Sequence, residues 1–311
     1  MTDYEEESAL APRVSTRATA EIASTVLVRS PSRVFLQRFV RHRLALSGLV
    51  MLLILVLLAI LAPVISPHDF AEIDVRNSLE PPTREHLLGT DRIGRDVLSR
   101  LIYGARVSLS VGLVAVGINI TVGTALGLAA GFFGGVVDQV IMRLVDWVMA
   151  FPNLLLMLVA AFIMGPGLLN VMLILGLLNW PGTCRLVRGQ TLSLREMDFI
   201  LAARCTGVSP GRIMLKHLFP NVVAVLVVSA TFGIANMIIA EAGLSFLGLG
   251  VKPPTPSWGA MLESAQQISF VTRRPWIWMP PGLLISITVL AINFVGDGLR
   301  DALDPRTIIR A

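Results

Sequence analysis

Long segments without charge alternate with short polar segments along this 311-residue chain. Five intervals contain no Asp, Glu, Lys or Arg, and they are 25, 31, 38, 24 and 22 residues long: 44–68, 107–137, 147–184, 217–240 and 275–296. About 20 helical residues cross a hydrocarbon core, so each interval is long enough to span a bilayer. The longest interval contains Gly165-Pro166-Gly167 near its middle, which predicts a tight turn between two spans.

The pattern therefore predicts an all-α polytopic membrane protein with six transmembrane helices. Backbone groups cannot remain unpaired in lipid, and the segments lack the two-residue alternation of a barrel. Composition agrees, because 54% of the residues are hydrophobic and 15% are charged, whereas soluble domains have about 25% charged residues. The same values exclude a disordered chain. The predicted spans are 44–65, 107–131, 140–164, 168–187, 221–245 and 278–298.

The arginines predict the orientation. Five of them, Arg29, Arg33, Arg38, Arg41 and Arg43, precede the first span. Such clusters remain on the cytoplasmic side during insertion, and an even number of spans then places both termini in the cytoplasm. With this orientation 17 of the 26 basic residues lie inside.

The polar segments divide the chain into regions. Residues 1–30 are predicted to be a flexible cytoplasmic tail, and Ser30-Pro31 to open a basic interfacial helix over 31–43. Residues 44–311 form the predicted transmembrane domain. Its larger loops are extracytoplasmic at about 66–105, cytoplasmic at about 188–220 and extracytoplasmic at about 246–277.

The cytoplasmic loop 188–220 has the signals of two short helices. Ser193-Leu194-Arg195-Glu196 has the form of a capping box, and Gly207 is a typical residue after a helix end. Ser209-Pro210 would begin a second helix, which Pro220-Asn221 would end. Two capped helices around a bend favour a hairpin that inserts into a groove of another protein. The alternative is a solvated connection between two spans.

The same loop resembles the EAA loop of ABC importer permeases, whose consensus is Glu-Ala-Ala, three residues, Gly, nine residues and Ile-x-Leu-Pro. Leu201-Ala202-Ala203, Gly207 and His217-Leu218-Phe219-Pro220 follow that spacing, with Leu201, His217 and Phe219 replacing Glu, Ile and Leu. In that family the loop carries a coupling helix that binds the ATPase. The resemblance implies that the ATPase-coupling residues are Leu201, Ala202, Ala203, Arg204, Gly207, Arg212, His217 and Pro220.

Three further segments, 88–106, 241–259 and 296–306, resemble the C-type permeases of dipeptide and oligopeptide importers, and the likeness extends over about 33–306. It implies a type I ABC importer permease fold in the cytoplasmic membrane of a prokaryote. The implied partners are a homologous B-type permease, one or two ATPase subunits or a fused ATPase, and an extracytoplasmic solute-binding protein. Nucleic acid is not an expected partner. The likeness leaves nickel, opines and glutathione open as alternative substrates to peptides.

Two ionisable residues lie at predicted span edges. Asp146 lies three residues after Arg143, so local pairing is the alternative to a role in the substrate path. Glu241 is a candidate gate or a contact for a substrate amine, and the alternative is a hydrated edge residue. In the outer loop, Asp91 and the arginines up to Arg100 would pair with one another or with a partner.

The chain lacks an ATP-binding motif, so the sequence predicts that a separate subunit hydrolyses ATP. A phosphate-binding loop needs Gly-Lys-Ser or Gly-Lys-Thr, and neither Lys216 nor Lys252 follows a glycine. We therefore expect no catalytic residues, cofactor or metal in this chain, with ATP and Mg bound by a separate ATPase. The alternatives are a transporter driven by an ion gradient, disfavoured because the span centres lack ionisable residues, and an intramembrane enzyme, disfavoured because no catalytic constellation is visible.

Overall fold

A computed structural model describes residues 31–263, 266 and 272–303, and within them the chain is helical without a strand. The predicted tail 1–30 lies outside the described residues. Two shorter elements, a turn of helix at Ala62–Ile65 and a 3₁₀ turn at Val75–Asn77, follow the second helix. The main helices are α1 (Pro31–Arg41), α2 (Arg43–Ile60), α3 (Val97–Phe133), α4 (Gly135–Met149), α5 (Asn153–Met164), α6 (Leu168–Leu178), α7 (Trp180–Leu194), α8 (Asp198–Cys205), α9 (Pro210–Phe246), α10 (Trp258–Glu263) and α11 (Pro275–Leu303).

Helix α3 is the centre of the bundle and contacts α2, α6, α7 and α9. Its glycines at every fourth position allow α7 to approach closely, as small residues do between membrane helices. A Cβ atom on Gly127 would lie 2.7 Å from the carbonyl oxygen of Cys184, and Gly123 and Gly131 face α7 at comparable distances. The spacing of these glycines therefore determines where the backbones of α3 and α7 meet.

Four helices in the described part of the chain, α2, α3, α9 and α11, are long and apolar enough to cross a membrane, and there are five if a bent pair counts as one span. That pair is α4 and α5, which cover the predicted span 140–164 and meet at an angle of 86°. The predicted span 168–187 is divided between α6 and α7 at Asn179. Continuous helices over these two spans were therefore a wrong prediction, and the count of six stays a prediction.

Two loop boundaries also differ from the predicted ones. Helix α3 begins at Val97, so the outer loop predicted at about 66–105 ends at Asp96, whose Oδ2 accepts a hydrogen bond from the Ser99 amide at 2.7 Å. This N-cap starts the helix inside a charged segment. The loop predicted at about 246–277 contains α10, and α11 begins at Pro275, where a proline is tolerated because the first N–H groups have no partner in the helix.

Helix α1 matches the position of the predicted interfacial helix. It breaks from α2 at His42, whose Nδ1 accepts a hydrogen bond from the Ala45 amide at 3.0 Å. Phe39 is buried in a cluster with Val295 and Ala302 of α11. One side of α1 is thus fixed to the bundle, and its position at a membrane surface stays a prediction.

The outer loop is organised around Asp91, which is 5% exposed. Its Oδ2 lies 2.7 Å from Nε of Arg95 and 3.7 Å from Nε of Arg100, while Oδ1 accepts from the Ile93 amide. Arg100 also donates to the carbonyl of Phe70 at 3.2 Å. The prediction that these charges pair within the chain is confirmed.

Candidate functional site

The loop that the sequence predicts at 188–220 folds into a hairpin whose first helix is α8. This helix begins at Asp198, and Ser193 lies inside the preceding helix, where its hydroxyl donates to the Gly189 carbonyl at 3.3 Å. The predicted capping box is therefore wrong. Glu196 instead pairs with Arg195 at 2.9 Å. Helix α7 continues through Ser193 because a serine inside a helix can donate its hydroxyl to the carbonyl four residues earlier without ending the helix.

The end of α8 at Gly207 is as predicted. Gly207 has φ +76°, a conformation that costs glycine little and other residues more. Its amide donates to the Arg204 carbonyl at 3.0 Å, and the Val208 amide donates to the Ala203 carbonyl at 3.1 Å. These two bonds form a Schellman motif, which provides donors for the last carbonyls of α8 and reverses the direction of the chain.

The second helix of the hairpin does not end at Pro220. Helix α9 continues from Pro210 to Phe246 through a π-helical turn at Met214–Leu218. The Phe219 amide bonds to the Met214 carbonyl, five residues earlier. Pro220 directly follows this widened turn, and the missing N–H of proline is accommodated there without a helix break. The hairpin is thus continuous with a membrane-spanning helix.

The inner face of α8 is fixed to the bundle. Ile200 is fully buried and Ala203 is 8% exposed. The guanidinium of Arg204 lies over the Phe132 ring, 4.9 Å from its centre, at the end of α3. Phe132, Ile200 and Ala203 belong to one apolar cluster that joins α8 to α3, α7 and α9, formed by Leu128, Phe132, Val187, Ile200, Ala203, Ile213, Leu218, Val222 and Leu226.

The outer face of the hairpin is open. A Cβ atom on Gly207 or on Gly211 would meet no other atom within 4 Å. Leu201 is 42% exposed, so an apolar side chain stands on this face where the consensus has glutamate. Among the predicted coupling residues, Ala203 is buried and His217 is half-buried. The exposed ones are Leu201, Ala202, Arg204, Gly207, Arg212 and Pro220.

Two arginines outside the predicted set hold the base of the hairpin. Nη1 of Arg195 donates to the Gly131 carbonyl at 3.1 Å. Nη2 of Arg188 donates to Oδ2 of Asp138 at 2.6 Å, which joins α7 to α4. Their clustering signalled only a cytoplasmic position, because the partners are 50 or more residues away in the chain. The base of the hairpin is thus held by long-range contacts.

Asp146 pairs across helices and not with Arg143. Its Oδ1 lies 2.6 Å from Nη2 of Arg185 on α7, and both side chains are about half exposed. The prediction of a local pair was wrong because α4 packs beside α7, where Arg185 and Arg188 pair with Asp146 and Asp138. A role for Asp146 in the substrate path stays a prediction.

Glu241 is fully buried, so the hydrated-edge interpretation was wrong. Its Oε1 accepts from the Ser245 hydroxyl at 2.7 Å and its Oε2 from the Ser108 hydroxyl at 3.2 Å. Trp258, also fully buried, donates its amide to the Ser108 oxygen at 3.2 Å. The carboxyl group thus joins α3, α9 and α10. Its role as a gate or amine contact stays a prediction.

Comparison with known proteins identifies relatives that are all membrane components of transport systems. Residues 123–309 match the family described as the inner membrane component of binding-protein-dependent transport systems. Residues 30–82 match the N-terminal transmembrane domain of oligopeptide transport permease C. The dipeptide transport system permease protein DppC of Alkalihalophilus pseudofirmus is 43% identical over 89% of this chain and 90% of its own. The glutathione transport system permease protein GsiD of Pectobacterium atrosepticum is 41% identical over 93% of this chain and 96% of its own.

The fold has a solved counterpart in inward-facing conformations of the MetNI methionine ABC transporter. The TM-score is 0.53 at 21% identity, over 66% of this chain and 96% of that chain. This match shows the type I ABC importer permease fold. Together with the apolar helices, the family match makes this chain an integral inner membrane protein. The chain belongs to the family of inner membrane components of binding-protein-dependent transport systems.

Proposed function

We propose that this chain is the C-type transmembrane subunit of an ATP-driven importer of dipeptides or oligopeptides. Relatives at about two fifths identity are named for dipeptide, di/tripeptide and glutathione transport, and glutathione is itself a small peptide. Peptide substrates are therefore favoured over nickel or another small solute.

The observation that carries the proposal is the two-sided hairpin around α8. Its outer face is open at Gly207 and Gly211, which leaves room for a groove of a partner to approach the backbone. Its inner face is fixed to α3, α7 and α9 through the cluster around Ile200 and Phe132. A displacement of α8 by a bound ATPase would therefore move the ends of three bundle helices together, because close-packed side chains transmit strain.

The proposal includes the partners and the energy source. A homologous B-type permease would complete the passage, and a solute-binding protein would deliver the peptide outside. ATP and Mg would bind to separate ATPase subunits or to a fused ATPase, so this chain would contribute no catalytic residue. Both termini would lie in the cytoplasm, on the same side as the hairpin.

The test is uptake by the complete complex in proteoliposomes, with the binding protein outside and ATP inside. We expect uptake of labelled di- and tripeptides that needs luminal ATP. A proton gradient should not replace ATP. Uptake driven by a proton gradient without ATP would contradict the proposal.

Competition then defines the substrate class. Unlabelled peptides of two to five residues should inhibit uptake of the label, with glutathione as one member of the series. Nickel is the control solute. Preferential uptake of nickel, without inhibition by peptides, would overturn the peptide assignment and leave the ATP dependence as a separate result.

A further inference from the structure

Two helix breaks meet near the middle of the predicted membrane spans. The first separates α4 from α5 at residues 150–152, and the second separates α6 from α7 at Asn179. A proline lies at each break, with Pro152 immediately before α5 and Pro181 in the first turn of α7. Because proline lacks an N–H, it favours a helix start over a helix interior.

Both breaks lie near the centres of the spans predicted from the sequence. Residue 152 is the centre of the predicted span 140–164, and residue 179 lies within two residues of the centre of 168–187. Asn119, at the centre of the span 107–131, donates its Nδ2 to the Asn179 carbonyl at 3.2 Å. Two predicted spans thus meet near their midpoints at this polar contact. In secondary transporters, interrupted helices near the bilayer midplane commonly form the substrate site.

The polar groups at the contact divide into a buried and an accessible part. The buried part is structural: Thr183 donates its hydroxyl to Oδ1 of Asn119 at 2.6 Å. The accessible part is the side chain of Asn153, which is exposed and donates its Nδ2 to Oδ1 of Asn179 at 2.9 Å. Across the described part of the chain, Oδ1 of Asn153 has no hydrogen-bond donor, so an acceptor remains available for a ligand.

A partly open cavity of about 380 Å³ lies over these side chains. Its lining combines the amides of Asn153 and Asn179 with the apolar groups of Met149, Phe151 and Leu178, and Gly182 lies at its edge. This volume is within the range of small-molecule sites, and an apolar wall with few polar groups is their usual composition. The lining contains no ionisable residue.

This chemistry matches a peptide bond better than an ion or a charged terminus. A primary amide offers both a donor and an acceptor, which is the complement of the N–H and C=O of a peptide unit. Apolar walls accept many side chains without selecting one. Resting on the function proposed above, we propose that the transported peptide passes through this cavity, with Asn153 binding its backbone at mid-membrane.

The first experiment replaces Asn153 by Leu, which has a similar size and no hydrogen-bonding group. Uptake of labelled dialanine is compared with that of its analogue methylated on the peptide nitrogen, using the complete complex. The wild-type complex should favour the unmethylated peptide, and Asn153→Leu should raise KM for dialanine by about fivefold to tenfold, the loss expected for a hydrogen bond. Asn153→Leu should also reduce the preference for dialanine over the methylated analogue. Both complexes use the same binding protein, so such a change would come from the permease.

A matched control removes a hydroxyl outside the cavity. Thr121 is exposed on α3 close to the same depth, and its hydroxyl bonds only to the carbonyl of Gly117 on its own helix, at 2.7 Å. Thr121→Val should leave KM and the preference unchanged. An Asn153→Leu complex with wild-type KM and preference would overturn the site. If the wild-type complex transports no peptide, the proposed function fails first.

A second measurement avoids dependence on the Asn153 variant. Gly182 at the cavity and Gly189, seven residues later on the same exposed side of α7, both have open space around them. Gly182→Cys and Gly189→Cys, each in a Cys205→Ser background, can be labelled with a maleimide. Saturating dialanine should slow labelling only at residue 182. Equal labelling rates with and without dialanine at both positions, in a complex that transports the peptide, would contradict the site.

Discussion

The guanidinium carbon of Arg204 lies 4.9 Å from the centre of the Phe132 ring. Arg204 belongs to α8 and Phe132 to the last turn of α3, so a cation–π contact joins the hairpin to the central helix of the bundle. Phe132 belongs to the apolar cluster that also contains Ile200. The cation–π pair adds a contact between α8 and the end of α3 to those of the apolar cluster.

Replacement of Arg204 by Ala should reduce the amount of peptide imported per ATP hydrolysed. A partly exposed cation–π contact contributes about 0.5–1 kcal/mol, so we expect a decrease of about twofold to fivefold. Parallel measurements of uptake and ATP hydrolysis in proteoliposomes give this ratio. Arg143→Ala, which removes an exposed arginine of α4, is the control and should have no effect. A normal ratio in Arg204→Ala would show that the contact does not transmit motion.

Replacement of Gly207 by Leu should impair transport while the protein remains in the membrane. The left-handed conformation at φ +76° costs a residue with a side chain about 1–2 kcal/mol, and a side chain would also occupy the open face of the hairpin. We expect uptake to fall at least about fivefold, which corresponds to about 1 kcal/mol.

Gly211→Leu is the matched control for the strain, because Gly211 is equally open and lies in the first turn of α9 without a positive φ. It should affect transport less than Gly207→Leu. Immunoblots of membrane fractions report the abundance of each variant. Normal uptake by Gly207→Leu would contradict the assignment of α8 as a coupling helix.

The ion pair of Asp138 and Arg188 should contribute more to stability than that of Asp146 and Arg185. The side chains of the first pair are 18% and 31% exposed, against 56% and 48% in the second. Asp138→Asn should reduce the free energy of unfolding by about 1–3 kcal/mol, since it weakens a charged hydrogen bond at a partly buried site. Asp146→Asn should change it by about 0–1 kcal/mol.

Thermal unfolding of the purified protein in detergent measures both changes. The double exchange Asp138→Arg with Arg188→Asp should recover part of the free energy of unfolding that Asp138→Asn loses, because the two side chains can then form an ion pair again. Equal shifts for the two Asn variants would show that burial does not distinguish the pairs.

Glu241 should act on stability and not on recognition of a substrate amine. Glu241→Leu leaves the hydroxyls of Ser108 and Ser245 without their buried acceptor, which costs about 1–3 kcal/mol for each group. Glu241→Gln retains one acceptor and should be milder. Both effects are measured as a lower melting temperature in detergent.

Uptake assays separate the two roles. In Glu241→Gln, the ratio of uptake of dialanine to that of N-acetyl-dialanine should equal the wild-type ratio, because the buried carboxyl group does not meet the peptide amine. A selective loss of the free-amine peptide would instead support the amine contact.

Features that depend on nearby residues were predictable from the sequence. Charge-free intervals identified the apolar helices, because a charged side chain is costly to transfer into lipid at any position of a span and an apolar one is not. The end of α8 at Gly207 was predictable because a Schellman turn depends on one glycine and its neighbours.

Features that depend on contacts between distant residues were decided by the tertiary structure. A charge-free interval shows that a segment can cross a membrane, and it does not show whether the helix is continuous. The 86° bend after α4 appears only in the folded chain, and at the break between α6 and α7 the Asn179 carbonyl accepts a hydrogen bond from the Asn119 side chain of another helix. The pairing of Asp146 with Arg185 and the burial of Glu241 have the same origin. Hydrophobic spacing determines which segments leave water, and packing between helices determines which polar groups meet inside.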